Sequence, residues 1–270
     1  MIRPPAVAGR FYPLEPKELA RQVAEFAPAS AGARGIAARG CVVPHAGYMY
    51  SGHVAGAVYS LLEIPARCIL LGPRHYPRGE AMAILSQGSW RTPFGDAAID
   101  AELAAELMRA CPRLREDPVA HEREHSLEVQ IPFLQQLAPS DFRFVPVVLA
   151  ADRYPLLEEL GHAVAKVVAA QSERVLVITS TDMNHYEHDA ITRVKDERAI
   201  ARILALDPRG LFDTVLADGI TMCGYAATTA MLVAMRDLGA ESAELVRYAT
   251  SGDVTGDREE VVGYAGVIVR

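Results

Sequence analysis

Short apolar runs rich in β-branched residues alternate along this chain with longer stretches in which apolar residues recur every three to four positions. The short runs are typical of β-strands and the longer stretches of amphipathic helices. The pattern predicts strands at Gly40–Val43, Cys68–Leu71, Met82–Leu85, Phe144–Leu149, Val175–Thr179, Leu245–Ala249 and Tyr264–Val269. It predicts helices at Pro16–Phe26, His53–Leu62, Ala101–Ala110, Leu127–Leu137, Tyr154–Ala170, Ala190–Ala205 and Gly224–Leu238. Such alternation indicates an α/β fold.

The length of the chain allows one large domain or two small ones, because 270 residues of which half are hydrophobic can bury a sizeable core. The segment Ala27–Arg39 is rich in alanine and glycine. We interpret it as a loop and not as a linker between domains, because no core-sized block of sequence precedes it. We therefore expect a single domain over residues 1–270.

Charge and cysteine content exclude several classes of protein. The formal net charge is −7 and the arginines are scattered among carboxylates, so nucleic acid is not an expected partner. The first residues lack the apolar core of a signal peptide, and no window reaches the roughly 18 to 20 apolar residues that a membrane helix needs. We expect a cytoplasmic protein that makes no membrane contact. The four cysteines lie far apart without a C-x-x-C pair, which predicts reduced thiols.

Three of the predicted strands end in polar turns that carry histidine. His45 follows one strand in VVPHAGY, His75 follows another in LGPRHY, and Asp182 and His185 follow a third in TSTDMNHYEH. In open α/β sheets ligands bind at the carboxyl ends of the strands, so these turns are expected to share one cleft. A single histidine is more often a hydrogen-bonded structural ring than a ligand. Three histidines at equivalent strand ends favour a binding site for a metal ion.

Cys223, in MCGY, precedes an apolar helical stretch. The unpaired backbone N–H groups of a helix N-terminus stabilise a thiolate, which is both the metal-binding and the nucleophilic form of cysteine. We therefore expect a lowered pKa for Cys223 and assign it as the reactive thiol. Cys41 and Cys68 lie within apolar strands and Cys111 follows a helix, which is typical of unreactive thiols.

The segment HEREH, His121 to His125, matches the H-E-x-x-H pattern of zinc proteases. That pattern works only on a helix, where both histidines face one ion, and here the apolar periodicity begins only after the motif. We expect instead a loop that enters a helix near Ser126, with Pro132 kinking the helix. His125 and Glu128 would then face a ligand or a neighbouring histidine. A zinc protease is kept as the weaker alternative.

Five motifs in this order, PHAGYMYSG, LGPRHY, EHSLEVQIPFL, STDMNHYE and MCGY, resemble the Memo family. The resemblance extends from AVAGRFYP near the start to VGYAGVIV near the end. Bacterial and archaeal members of this family are known as protein B of the AmmeMemoRadiSam system. The resemblance implies a fold similar to that of the class III extradiol-type nonhaem iron dioxygenases, which is a single α/β domain with a mixed β-sheet flanked by helices.

The resemblance also implies roles for individual residues. His45, His75 and Cys223 match the metal ligands, with iron (Fe2+) or copper as the ion and no nucleotide cofactor. His185 matches the acid-base histidine of the related dioxygenases, and Asp182 is its expected neighbour. The groups expected to support the ligands or to contact substrate are Tyr12, Tyr50, His125 and Glu128. A thiolate stands where the dioxygenases have a carboxylate. Because a thiolate is a softer ligand, it favours copper or redox-active iron over magnesium or calcium.

Two functions remain open from the sequence. In the first, the chain is a metal-dependent oxidoreductase in which His185 moves the proton. In the second, it is a non-catalytic protein that binds a peptide, acts as a scaffold or handles a metal, because a thiolate ligand beside O2 risks oxidation. Eukaryotic members that bind peptides carry a tryptophan near the position of Tyr12, and a His-Pro pair where this chain has Tyr225 and Ala226. The family implies an Amme-type protein and a radical SAM protein as partners, with an unidentified small molecule or peptide as ligand.

Overall fold

The computed structural model describes residues 1–28 and 35–270. Part of the predicted loop at Ala27–Arg39 therefore lies outside the described residues. One mixed β-sheet of twelve strands runs through the described part of the chain, and helices flank it. The strands are β1 (Ile2–Arg3), β2 (Gly40–Val43), β3 (Arg67–Pro73), β4 (Met82–Ile84), β5 (Ser89–Thr92), β6 (Gly95–Ile99), β7 (Arg115–Glu116), β8 (Arg143–Leu149), β9 (Val175–Ser180), β10 (His185–Glu187), β11 (Ala243–Thr250) and β12 (Val261–Val269).

The centre of the sheet consists of four parallel strands in the order β8, β3, β9 and β2. Nearly every residue of these strands is buried, as expected when helices cover both faces of a parallel sheet. Alternate side chains of β3 pack on opposite faces, with Ile69 in one core cluster and Leu70 in the other. The sheet thus brings the carboxyl ends of β2, β3 and β9 side by side.

Antiparallel pairing extends the sheet at both sides. On one side β12 pairs antiparallel with β2, and β10 and β11 each pair antiparallel with β12. On the other side β4 pairs antiparallel with β8, and β5 with β6. The seven strands predicted from sequence are all present, and the mixed sheet agrees with the expected fold class. The strands β1, β5, β6, β7 and β10 were not predicted, because they are short and mostly only partly apolar.

Ten helices lie in the described residues: α1 (Pro16–Phe26), α2 (Tyr48–Leu61), α3 (Ala101–Ala110), α4 (Pro118–Glu122), α5 (Ile131–Leu137), α6 (Tyr154–Ala169), α7 (Asp189–Leu204), α8 (Pro208–Ala217), α9 (Tyr225–Asp237) and α10 (Gly252–Thr255). Helix α2 begins at Tyr48, five residues before its predicted start, because the glycine-tyrosine turn is its first turn. Helix α8 was missed although Asp207 caps it and Pro208 opens it, a combination that favours helix initiation.

Pro132 does not kink a helix, which corrects the prediction from sequence. A 3-10 turn at Glu128–Gln130 precedes α5, and Pro132 lies in the first turn of α5. Proline is tolerated there because the N–H that it lacks would have no partner within the helix. No helix in the described part of the chain has both the length and the apolar character required to cross a membrane.

Candidate metal centre

The turns after β2 and β3 bring His45 and His75 together at one end of the sheet. Strand β9 lies between β3 and β2, so the residues that follow it enter the same place. The ring centroids of His45 and His75 are 5.2 Å apart, with the planes at 80°. His45 is buried and His75 is partly accessible. The two histidines expected to meet at the strand ends therefore lie together, and we refer to the space beside their rings as the cleft.

His125 completes a group of three histidines. Its ring centroid lies 4.6 Å from that of His75, in a stacked arrangement, and 5.6 Å from that of His45. One ring nitrogen from each of the three lies within 4.8 Å of the others, a spacing that could hold a metal ion. This is the one such group found among the described residues. Imidazole nitrogen is a suitable ligand for iron, copper, zinc and nickel.

A serine determines which nitrogen of His45 faces the cleft. The hydroxyl of Ser180 donates its proton to the carbonyl of Ser126 at 2.6 Å and accepts from Nε2 of Gln130 at 2.9 Å. Because its only proton is already used, the hydroxyl accepts from Nδ1 of His45 at 2.9 Å. The neutral His45 ring therefore carries its proton on Nδ1 and its lone pair on Nε2. Burial first, and then the charges of the neighbouring histidines, lower the pKa of His45.

A buried carboxylate determines which ring nitrogen of His75 faces the cleft. Oε1 of Glu124 lies 2.8 Å from Nδ1 of His75, and Oε2 accepts the backbone N–H of His75 at 2.6 Å. Burial alone would raise the pKa of Glu124, but hydrogen bonds and charge from His75 and His125 lower it to about 2. Burial alone would lower the pKa of His75, and the hydrogen bond and charge of Glu124 raise it instead. Nε2 of His75 is left to face the cleft.

The loop that carries His125 packs directly against the end of β3. Ser126 donates its hydroxyl to the carbonyl of Pro73 at 3.1 Å. A Cβ atom at Gly72 would lie 2.9 Å from Oγ of Ser126 and 2.7 Å from Cδ2 of Leu127, so a side chain at Gly72 would displace this loop. The ring of Phe11 meets that of His125 edge-on at 4.9 Å. Burial lowers the pKa of His125 to about 4, and the charge of His75 adds to that effect.

Cys223 lies beside His45, with 3.2 Å between its Sγ and Nε2 of the histidine. It precedes α9, which is capped by Gly224, and the backbone N–H of Asp182 donates to the sulfur at 3.2 Å. A Cβ atom at Gly224 would lie 2.5 Å from Cβ of Thr181, so glycine permits this close approach of α9 to the end of β9. Among the described residues, Cys223 is not within the three-histidine group, although it contacts one member.

The prediction of a lowered pKa for Cys223 is wrong for the metal-free chain. Burial first, and then the negative charge of Asp182, raise the pKa of the thiol. These effects outweigh the N–H donors that the helix terminus supplies. The other three cysteines are buried.

Asp182 and His185 border the cleft from the β9 side. A carboxylate oxygen of Asp182 accepts the backbone N–H of His45 at 2.7 Å, and the other lies 4.0 Å from Nε2 of that ring. Burial raises the pKa of Asp182. Nδ1 of His185 lies 2.9 Å from the carbonyl of Thr221, which can only accept. The neutral His185 ring therefore donates from Nδ1 and keeps its lone pair on Nε2.

Glu128 and Tyr12 hold the N-terminal segment through hydrogen bonds that do not involve the histidines. The buried carboxylate of Glu128 accepts from Nη1 of Arg3 at 2.7 Å, from the N–H groups of Ala6 and Val7 at 2.8 and 3.0 Å, and from the Tyr12 hydroxyl at 2.8 Å. Within the described residues, the hydrogen bonds to this carboxylate thus come from residues 3 to 12. Tyr50, in the first turn of α2, is partly buried beside the small apolar cluster that contains Tyr264.

The HEREH segment does not have the geometry of a zinc protease site. Helix α4 ends at Glu122, so His121 and His125 do not share a helical turn. His121 is fully buried and packs edge-on against Trp90, with ring centroids 5.8 Å apart. The loop expected before Ser126 is present.

The remaining histidines lie outside the group of three. His53 is within α2, and His162, in α6, pairs with Asp237 at 2.5 Å. His188 caps α7 by accepting the N–H of Ala190.

Three supporting residues were not found from the sequence. Ser180 and Gln130 act through the ring of His45, and Glu124 acts through that of His75. Glu124 lies within HEREH, directly before His125. Its position as the first letter of the motif EHSLEVQIPFL was the available signal.

Fold and site together define a single-domain α/β protein with a histidine cluster at the carboxyl ends of parallel strands, suited to hold a metal. The chain belongs to the Memo family, because the model of the Memo-like protein family matches residues 3–268. A MEMO1 family protein of Methanopyrus kandleri is 42% identical over 281 residues, covering 100% of this chain and 99% of the relative. Another MEMO1 family protein, of Methanothermobacter thermautotrophicus, is 42% identical over 275 residues, covering 98% of this chain and 99% of the relative.

A solved structure shares the fold. An uncharacterized protein of Escherichia coli K12 superposes with a TM-score of 0.54 at 12% sequence identity, covering 83% of this chain and 98% of that chain. At this identity the likeness concerns the fold alone.

Proposed function

We propose that this chain is a nonhaem iron or copper redox protein whose metal is held by His45, His75 and Cys223. The observation that carries the proposal is the convergence of three histidine rings and one thiol at the strand ends. The ring nitrogens of His45, His75 and His125 lie within 4.8 Å of one another, and Cys223 is 3.2 Å from the first of them. Such a donor set suits a first-row transition metal and not magnesium or calcium.

The tautomers of His45 and His75 are suited to metal binding. Nδ1 of His45 donates to Ser180 and Nδ1 of His75 donates to Glu124, so both rings direct Nε2 lone pairs toward the cleft. Hydrogen bonding of the second ring nitrogen is the usual arrangement for a histidine that ligates a metal. His125 belongs to the same group as this pair and Cys223 contacts His45, so either could supply the third ligand. We favour Cys223, with His125 beside the metal as a further ligand or a substrate contact.

The residues around the cleft can bind and move a proton. Bound iron or copper would supply one-electron chemistry and a site for O2 or substrate. His185 keeps its Nε2 lone pair because Nδ1 faces the carbonyl of Thr221, so it can accept a proton from a substrate group at the rim. Asp182 orients the backbone of His45 by accepting its N–H.

Purification without oxygen, followed by metal analysis and exposure to air, tests the proposal. We expect iron or copper near one equivalent, a change in the absorption spectrum with oxygen, and loss of the metal in His45→Ala and His75→Ala. A folded wild-type chain that binds neither metal would contradict the proposal.

A non-catalytic role in metal handling is the second candidate. The thiol of Cys223 beside His45 favours it, because a thiolate beside O2 is open to oxidation. Metal that binds stoichiometrically and transfers to a chelator or to a partner, without consumption of oxygen, would support this role. The partners that we propose to test by co-purification are the Amme-type and radical SAM proteins.

A further inference from the structure

We propose that Glu124 is a positioning residue that sets the ring orientation of His75 and the backbone of His125 at the metal centre. The role at the metal rests on the function proposed above. Glu124 lies between the two histidines in space and is adjacent to one of them in sequence. Its effect on His75 is a property of the metal-free chain and can be measured independently.

The carboxylate of Glu124 is fully buried and accepts four hydrogen bonds. Oε2 accepts the backbone N–H of His75 at 2.6 Å, while Oε1 lies 2.8 Å from Nδ1 of the same ring. Oε1 also accepts the N–H groups of His125 and Ser126, each at 2.9 Å. One side chain therefore connects the turn after β3 to the loop after α4.

This arrangement has a chemical consequence for His75. A carboxylate can only accept, so it selects the ring form with the proton on Nδ1 and the lone pair on Nε2. It also raises the basicity of the ring, as carboxylates behind metal-bound histidines do. Glu124 affects the position of His125. The backbone N–H groups of His125 and Ser126 donate hydrogen bonds to Glu124, and these bonds determine where the loop turns toward the cleft.

Glu128 provides a matched control within the same segment. Its carboxylate is also buried and also accepts four hydrogen bonds, but they come from Arg3, Ala6, Val7 and Tyr12. None of those donors belongs to a candidate ligand. Loss of a buried carboxylate is therefore common to variants at both positions, whereas loss of the contact to His75 occurs only at Glu124.

The test compares Glu124→Ala and Glu124→Gln with Glu128→Ala and Glu128→Gln. Two quantities are measured: the 15N chemical shifts of the His75 ring in the metal-free protein, and the affinity for Co(II). We expect Nδ1 of His75 to be protonated in the wild type and in the Glu128 variants. In Glu124→Ala we expect a shift toward the Nε2-protonated form and a loss of Co(II) affinity of about 10- to 100-fold. Glu124→Gln should lose less, because the amide oxygen can still accept from Nδ1.

Protonation of Nε2 of His75 in the neutral wild-type ring would overturn the proposal. So would equal losses of Co(II) affinity in Glu124 and Glu128 variants of the same type. If Glu124→Ala does not fold, the comparison of Glu124→Gln with Glu128→Gln decides by affinity. A wild-type chain that binds no Co(II) contradicts the proposed function, whereas the ring shifts of His75 still decide the role of Glu124.

Discussion

The sulfur of Cys223 lies 3.2 Å from Nε2 of His45, and that nitrogen is the one left without a proton by the hydrogen bond between Nδ1 and Ser180. In the metal-free chain the thiol can therefore donate to the ring. Both groups are neutral in this arrangement, which agrees with the raised pKa of Cys223 and the lowered pKa of His45. Metal binding through sulfur would replace the thiol proton, since only the thiolate ligates.

Co(II) binding to Cys223→Ser and His125→Ala identifies the third ligand. We expect Cys223→Ser to lose the sulfur-to-cobalt charge-transfer absorption and to bind Co(II) at least about 100-fold more weakly, beyond the range typical of outer-shell changes. His125→Ala should keep that absorption and lose less affinity. Cys111→Ser, at a buried thiol outside the three-histidine group, is the control. If Cys223→Ser keeps the wild-type spectrum, the third ligand is His125 and not Cys223.

Ser180→Ala should disturb His45 without removing a ligand. The change removes the hydrogen-bond partner of Nδ1 of His45 and of the carbonyl of Ser126. The amide of Gln130 loses one of its partners and keeps Pro44 and Tyr59. We expect a cost of about 1–3 kcal/mol in the free energy of unfolding, and a mixed tautomer of His45 in 15N spectra. Thr179→Val is the matched control on the same strand, because the buried hydroxyl of Thr179 has no hydrogen-bond partner in the described part of the chain. Equal effects from both variants would argue against a specific role for Ser180.

Substitutions in HEREH test whether His121 is a packed core side chain or a zinc ligand. His121 is fully buried against Trp90, so we expect His121→Ala to destabilise the fold by about 2–4 kcal/mol, as for other large-to-small core changes. Co(II) stoichiometry should be unchanged, and the exposed Glu122→Gln should change neither quantity. Urea unfolding and Co(II) titration provide the measurements. Loss of metal from His121→Ala with retention in His45→Ala would restore the protease interpretation.

We expect the ionisation of Asp196 to make the free energy of unfolding vary with pH. Its carboxylate accepts from the backbone N–H of Asn184 and from the Tyr248 hydroxyl, yet burial raises its pKa from 3.8 to about 7. Because the folded-state pKa is the higher one, the protonated form is favoured by folding. Stability should therefore fall as the pH rises from 3.8 to about 7 and then stay at the lower level.

Asp196→Asn removes this ionisation while keeping an acceptor for Asn184. We expect the variant to be more stable than wild type at pH 8, by up to a few kcal/mol, since one pKa unit corresponds to about 1.4 kcal/mol. The gain should shrink at pH 5. Urea unfolding at both values measures it, with the exposed Glu241→Gln as control. The same stability difference from wild type at both values would contradict the assignment.

The local pattern of the sequence determined which elements form and where the histidines lie on them. Strand β2 and helices α1 and α3 have the predicted bounds, because apolar periodicity and terminal residues act over a few positions. The placement of His45 and His75 after buried strands is also local information. Parallel pairing then brings those ends together, as the fold class implies.

The tertiary structure alone decided how the site is supported and which protons it carries. Glu124 reaches His75 across 49 positions in sequence, and Ser180 reaches His45 across 135, so no local pattern specifies either contact. The pKa of Cys223 depends on burial and on Asp182, and these effects outweigh the helix terminus that the sequence indicated. Desolvation and charge act through space, and their strengths are known only once the chain is packed.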